Sequence, residues 1–317
     1  MTGTPVETGL TELWCIADFV QAGRLGTGKE FRSLIERPIV DERAGSSAQA
    51  EALRTLHERL GPHYLRRTKS ELRDELPTKR AENYRVALGG RQANVYRRIA
   101  RAVAERVELP LTGLQRLILT CSHPELVEPR GEKGQVLIED CPKLGKTLDL
   151  LEDIRQKQEK ALIFTRFRAM QGILQAVIAE RFGFYASVLN GDVEGGRRQQ
   201  VVNQFEAVSG FGVMILSPEA AGVGLNITAA NHVIHYSRLW NPAKERQATD
   251  RVYRIGQVRP VVVHYPIVSG DGWKTIEEHL DELLTEKAEL AENVIVPSAK
   301  ITVRGELERR MFDVANA

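Results

Sequence analysis

Beyond about residue 140 the sequence alternates short apolar runs with helical stretches, and nothing else constrains the fold as tightly. ALIFT (161–165), YASVLNG, GVMILS (212–217), NHVIHYS and VVVHYPIV are short and mostly apolar. Continuous apolar strands of this kind are buried on both faces, as in parallel sheets covered by crossover helices. The segments between them, RAMQGILQAVIAERFG and RRQQVVNQFEA, have the helical spacing that crossovers need. A further helix is expected from about Pro242 to Tyr253. In WKTIEEHLDELLTEKAELAE, Ile276, Leu280, Leu283 and Leu284 share one side, which predicts a long final helix. The expected class is α/β, built on a parallel sheet.

The first half reads differently. TELWCIADFV, AEALRTLHERLG, RQANVYRRIARAVAERV and LTGLQRLILTC are helical in pattern, and no strong strand signal appears over residues 10–125. A mainly helical subdomain is expected there. At 317 residues the chain is long enough for about two domains. Cys15, Cys121 and Cys141 lie far apart, without the pairing of a disulfide framework or a zinc site. No run reaches the roughly 18–20 apolar residues of a membrane span, so a cytoplasmic location is the default expectation. Residues 51–110 hold 14 Lys/Arg against 8 Asp/Glu, including Arg66-Arg67-Thr68-Lys69 and Arg97-Arg98. Such a stripe could follow a phosphate backbone, although a solvated helical face is the simpler reading.

Two stretches imitate nucleotide-binding motifs. GRLGTGKE (23–30) has the Gly23…Gly28-Lys29 spacing of a phosphate loop, but Glu30 stands where a hydroxyl should hold magnesium, and no strand precedes it. A glycine-rich turn between helices is expected instead. PIVDERA (38–44) imitates an acidic magnesium box at Asp41-Glu42, yet its apolar run is too short for a central strand and Pro38 favours an edge or loop. It is expected to be a surface turn.

QATDRVYRIGQ (247–257) is more informative. Arg251 and Arg254, three residues apart, are expected one turn apart on one helix face. Two forked guanidiniums suit bidentate phosphate contact and the charge that develops in phosphoryl transfer. SPEAAGVGLNIT (217–228) places a glycine-rich loop after a buried strand, and ALIFTRF ends another strand on Thr165-Arg166. Parallel α/β sheets collect ligands at these carboxyl ends. His232 and His235 are expected on the same side of one strand, as core histidines and not a metal pair, because no third ligand accompanies them.

With these motifs in place, the chain resembles a Swi/Snf-type helicase-like ATPase of superfamily II, in its bacterial form. ALIFTRF resembles motif IV, SPEAAGVGLNIT motif V, and YSRLWNPAKERQATDRVYRIGQ the run ending in motif VI. LPTKRAENYRVALGGRQANVY and LQRLILTCSHPEL resemble the linker between two RecA-like lobes, and IEEHLDELLTEKAELAE the brace helix. MTGTPVETGLTELW resembles motif III, which closes the first lobe after its phosphate loop and DExH box. The resemblance implies a remnant of the first lobe over 1–10 and a helical insertion and linker over 11–135. It then implies a second RecA-like domain over 136–272, a brace helix over 273–292 and a tail over 293–317.

It also implies roles. Arg251 and Arg254 would be arginine fingers, with Gln247, Gly222, Gly224 and Asn226 near the nucleotide and coupling it to the DNA track. Thr165, Arg166, Asn190, Gly191 and Ser217 would meet phosphates along one DNA strand. Trp240 either lies near that DNA or packs beneath the motif VI helix. The cofactor would be ATP with magnesium, the magnesium ligands lying on a first lobe supplied in cis or trans. The partner would be double-stranded DNA, with no membrane, in a nucleoid-associated protein. Three departures matter: Glu219 replaces a usual Lys, Ala221 a usual Gly, and Thr8-Gly9 the usual Glu-Asn. Without a phosphate loop or DExH box the chain is expected to be inactive alone. The alternative is a non-enzymatic module that binds DNA or protein.

Overall fold

The computed structural model describes residues 9–41, 46–61, 76–131, 133–221 and 225–293. The chain divides into two compact units, one from residues 1–72 with 285–302, the other from 73–284 with 303–317. Residues 1–8 of the motif III stretch and the run 66–69 lie outside the described residues.

In the first unit, α1 (Leu10–Val20), α2 (Gly28–Phe31), α3 (Arg37–Asp41) and α4 (Ser47–Leu60) enclose a core of Leu10, Leu13, Leu25, Phe31, Ile35 and Leu56. GRLGTGKE is the turn expected from the sequence. Gly23 and Gly26 adopt φ of 76° and 79°, and Thr27 and Glu30 form a reciprocal capping box at the start of α2. PIVDERA differs from expectation: Pro38–Asp41 is helical, with Ile39 buried, and Glu42 lies outside the described residues. Pro38 has no amide hydrogen for the Leu34 carbonyl, and the preceding turn widens to a π turn over Arg32–Glu36. No strand leads into Asp41, so the geometry of a magnesium box is missing there.

The second unit holds a six-stranded, all-parallel sheet in the order β1-β6-β5-β2-β4-β3. Its strands are β1 (Lys79–Ala87), β2 (Lys160–Phe164), β3 (Ser187–Leu189), β4 (Gly212–Leu216), β5 (His232–His235) and β6 (Val261–Ser269). All five strands read from the apolar runs are present. β1 is the correction, because the first half showed no strand signal. It is an edge strand paired only to β6, and KRAENYRVA alternates exposed and half-buried positions. Its polar residues leave no apolar run to detect.

Helices cover both faces. α8 (Pro142–Gln156) and α9 (Arg168–Phe182) pack Leu144, Leu151, Met170 and Leu174 against Ala161, Ile163 and Ile234. On the other face α10 (Gly195–Ala207) and α12 (Pro242–Thr249) pack Val202, Phe205 and Ala248 against Leu162, Phe164 and Val233. A third cluster joins α5 (Gly90–Ala104), α6 (Pro110–Ser122) and α13 (Ile276–Asn293) through Ile99, Leu117, Ile276, Leu280, Leu283 and Leu284. The stripe on α13 is therefore buried as its spacing predicts. Of the basic stripe, Arg97 and Arg98 are exposed on α5, and Arg98 pairs with Glu128.

Candidate nucleotide and nucleic-acid edge

β2 runs on into α9 on one face and β5 into α12 on the other, so these adjacent strands part at a topological switch point. That is where parallel α/β sheets hold ligands. Backbone hydrogen bonds carry the sheet just past its ends. The Thr165 amide donates to the Leu216 carbonyl (3.1 Å), the Ser217 amide to Leu189 (2.9 Å), and the Ser237 amide to Phe164 (3.3 Å). The loops after β2, β3, β4 and β5 thereby emerge from one stitched edge.

Thr165 is fully buried, and its hydroxyl bonds the Ser237 hydroxyl at 3.0 Å. Arg166 is exposed, with its guanidinium 5.4 Å from the Phe167 ring centroid and 5.6 Å from that of Trp240. Such stacking fixes a cation without consuming its hydrogen-bond donors. Trp240 is half-buried against the α5, α6 and α13 cluster. Its indole Nε1 is buried without a partner among the described residues. The Asn190 carboxamide is committed, donating to Gln171 (2.9 Å) and accepting from the Asp192 amide (3.0 Å). Gly191 is exposed beside it. Ser217 is buried, and its hydroxyl accepts from the Ala220 amide at 3.2 Å. Gly222 and Gly224 lie outside the described residues.

Arg251 and Arg254 do not lie on a helix face: they follow the end of α12, and Tyr253 between them lies under the Lys79 ammonium at the start of β1. Asn241 caps α12, accepting from the amides of Ala243 (2.9 Å) and Lys244 (3.3 Å), and the helix ends at Thr249. The Ile227 amide takes the Arg251 carbonyl at 3.1 Å, where a continuing helix would offer the amide of residue 255. Past α12 the chain turns, with Gly256 at φ 97°. Val252 is anchored in the core, and Gln257 donates to the Thr228 (3.0 Å) and Ala230 (2.7 Å) carbonyls. The Arg254 guanidinium donates to the exposed Asn226 side chain. Burial, then the charge of Arg254, pushes the Arg251 guanidinium below its ordinary value, while Asp250 opposes them. Two half-buried guanidiniums this close repel one another, and an anion between them would relieve the repulsion. These residues fit the phosphate end of a nucleotide and not a cation. Gln247 sits half-buried on α12, four residues before Arg251.

Below this segment Arg238 bonds Glu245 (2.9 Å) and Asp281 and lies over the Tyr265 ring, tying α12 to α13. The paired histidines need correction: His232 and His235 face opposite sides of β5, as residues an odd number apart must. His232 bonds Glu159 (2.6 Å) and His264 (3.0 Å), and His235 bonds the Thr249 hydroxyl (2.8 Å). Gln171, Ser237 and Gln257 were not singled out by sequence reasoning. The only signal for Gln171 is a polar residue on the buried stripe of Met170, Leu174, Val177 and Ile178.

The sheet and its loops define a RecA-like helicase lobe. Comparisons carry this to a family. The profile described as the helicase conserved C-terminal domain matches residues 142–256, and that of the SNF2-related domain matches residues 1–126. The chain belongs to the SNF2-related family of helicase-like ATPases. It is 40% identical to the Zorya protein ZorD of Escherichia coli over 93% of this chain and 28% of that protein. It is 38% identical to the putative ATP-dependent helicase/translocase YwqA of Bacillus subtilis, over 95% of this chain and 33% of that one. The Sulfolobus solfataricus SWI2/SNF2 ATPase core in complex with dsDNA aligns over 99% of this chain and 65% of its own, with 31% identity and a TM-score of 0.61. The chain thus spans about a third or less of the length of these two curated relatives. Among the described residues no helix is long and apolar enough to cross a membrane.

Proposed function

We propose that this chain provides the C-terminal lobe of a DNA-dependent ATPase that translocates on double-stranded DNA. The observation that carries it is the joining of Arg251 and Arg254 to the Asn226–Ile227 segment that follows β4, in the same lobe as the stacked Arg166. The YwqA and Sulfolobus relatives support it, one described as a translocase and the other bound to dsDNA.

ATP would lie between this lobe and a first RecA-like lobe, in cis or trans, that contributes the phosphate loop and the acidic box. Arg251 and Arg254 would donate to the transferring phosphoryl group and stabilise the charge that grows on it. Gln247 would orient them at the phosphates. Magnesium bound with the nucleotide would neutralise phosphate charge, and its ligands are assigned to the first lobe. The segment around Asn226, joined to motif VI through both Arg251 and Arg254, would pass the nucleotide state to the DNA track. Thr165 and Ser217 would serve that track through their backbone and loop positions, since both side chains are buried and bonded. Arg166 and Gly191 would meet phosphates directly, without reading sequence.

The test is reconstitution. The purified chain alone is expected to show no DNA-stimulated ATP hydrolysis, and adding a first lobe should restore it. Arg254→Ala in that mixture should then lower turnover by about 10³-fold or more. Appreciable turnover by the chain alone, or full turnover with Arg254→Ala, would overturn the assignment. DNA bound with steep salt dependence but never any reconstituted turnover would favour the non-enzymatic binding module.

A further inference from the structure

β2 and β3 are not neighbours in the sheet, because β4 lies between them. Their loops nevertheless carry Thr165-Arg166 and Asn190-Gly191, which the proposed DNA track uses together. One buried side chain reaches across. Gln171, in the first turn of α9 and 2% exposed, directs its Nε2 at the Thr165 carbonyl (3.4 Å). Its Oε1 accepts from Asn190 Nδ2 at 2.9 Å, and Asn190 Oδ1 accepts from the Asp192 amide at 3.0 Å. Arg168, on the same turn of α9, pairs with Asp192 at 3.0 Å and closes the loop from outside.

We propose that Gln171 is a positioning residue for DNA. By fixing the separation of the β2 and β3 loops, it sets the spacing at which they meet successive phosphates of one strand. The inference rests on the DNA-translocase reading above and adds to it a residue that touches neither DNA nor nucleotide. The chemistry requires a carboxamide, because the link needs one donor and one acceptor on a single stem. Methionine would keep length and volume and remove both bonds. Glutamate would keep the acceptor facing Asn190 and lose the donor to Thr165. A buried glutamine that merely satisfies the core would affect stability alone.

The experiment measures binding of the full chain to a short labelled duplex over a series of salt concentrations, with thermal melting alongside. Gln171→Met is expected to remain folded and to bind about tenfold more weakly, the worth of one hydrogen bond to a charged group. Its salt slope should become shallower by about one phosphate contact. Gln171→Glu should lose less. Asn190→Ala added to Gln171→Met should cost far less than Asn190→Ala alone, because the two residues act through one link. Unchanged affinity and slope in both Gln171 variants, or fully additive effects with Asn190→Ala, would remove the role of Gln171. Should Gln171→Met fail to fold, Gln171→Glu decides by the same comparison. A wild-type chain that binds no duplex would remove the DNA reading itself, a separate and recognisable failure.

Discussion

Arg166 and Glu219 show how much a single side chain alters this edge. Arg166 stacks on two rings, and burial of part of its side chain lowers the guanidinium from its ordinary value while the Glu219 carboxylate opposes that. Glu219 is exposed at the start of α11 (Pro218–Ala221). A carboxylate there opposes a phosphate backbone. Glu219→Lys is therefore expected to tighten duplex binding about fivefold at low salt and to steepen the salt slope by about one contact. A binding titration at two salt concentrations checks it, and unchanged affinity would place the DNA elsewhere. The residue scale also shows what sequence motifs leave out. Thr165 and Asn190 looked like free polar groups at strand ends, yet both side chains are committed to Ser237, Gln171 and the Asp192 amide. Ser237 and Gln171 lie 72 and 19 residues from them, beyond any local pattern.

Among the elements, helix contacts depend on small residues as much as on apolar stripes. α5 and α6 approach so closely at Gly113 that a Cβ there would stand 2.1 Å from Val103 Cγ2. Gly113→Ala is expected to destabilise the second unit by about 1–3 kcal/mol, the usual cost of overpacking. Adding Val103→Ala should recover part of it, and denaturant unfolding of the single and double variants measures both. The opposite case is the link between α8 and α13, where buried Lys143 pairs with Glu277 at 2.5 Å and lies over the Tyr236 ring. The Glu277 carboxylate also accepts from the Val268 amide, so the pair anchors α13 to the end of β6. Sequence periodicity placed α13 and did not single out α8. It offered no reason to pair these two charges, because an ion pair between distant helices has no periodic signature.

For the whole molecule, buried imidazoles set the response to acid. Burial pushes the His235 pKa down to about 4, with Glu245 opposing it and Arg238 adding to it. His264 is likewise pushed down to about 4 by burial, then by His232. The unfolded chain takes up protons near pH 6.5 that the folded chain refuses until about pH 4, so stability is retained above pH 6.5 and falls as the pH drops through that window. His235 alone should account for about 3 kcal/mol across the window. The slope of unfolding free energy between pH 6.5 and 4 should flatten by up to one proton in His235→Gln. An unchanged slope would show that His235 already carries a proton in the folded state.

The order of residues alone dictates the class of the sheet, because strands buried on both faces must be apolar throughout and their crossovers must be helical. It placed β2 to β6 and α13, and its motifs pointed to the family that the comparisons establish. Tertiary structure decided the rest. β1 joined the sheet through backbone pairing to β6, which tolerates a polar edge strand with no apolar signature. Arg251 left its helix because the Ile227 amide claimed its carbonyl. Gln171 became a link only when β4 separated the two loops it joins. Local spacing encodes which face a residue presents. Hydrogen bonds between strand ends depend on strand order, which only the folded chain supplies.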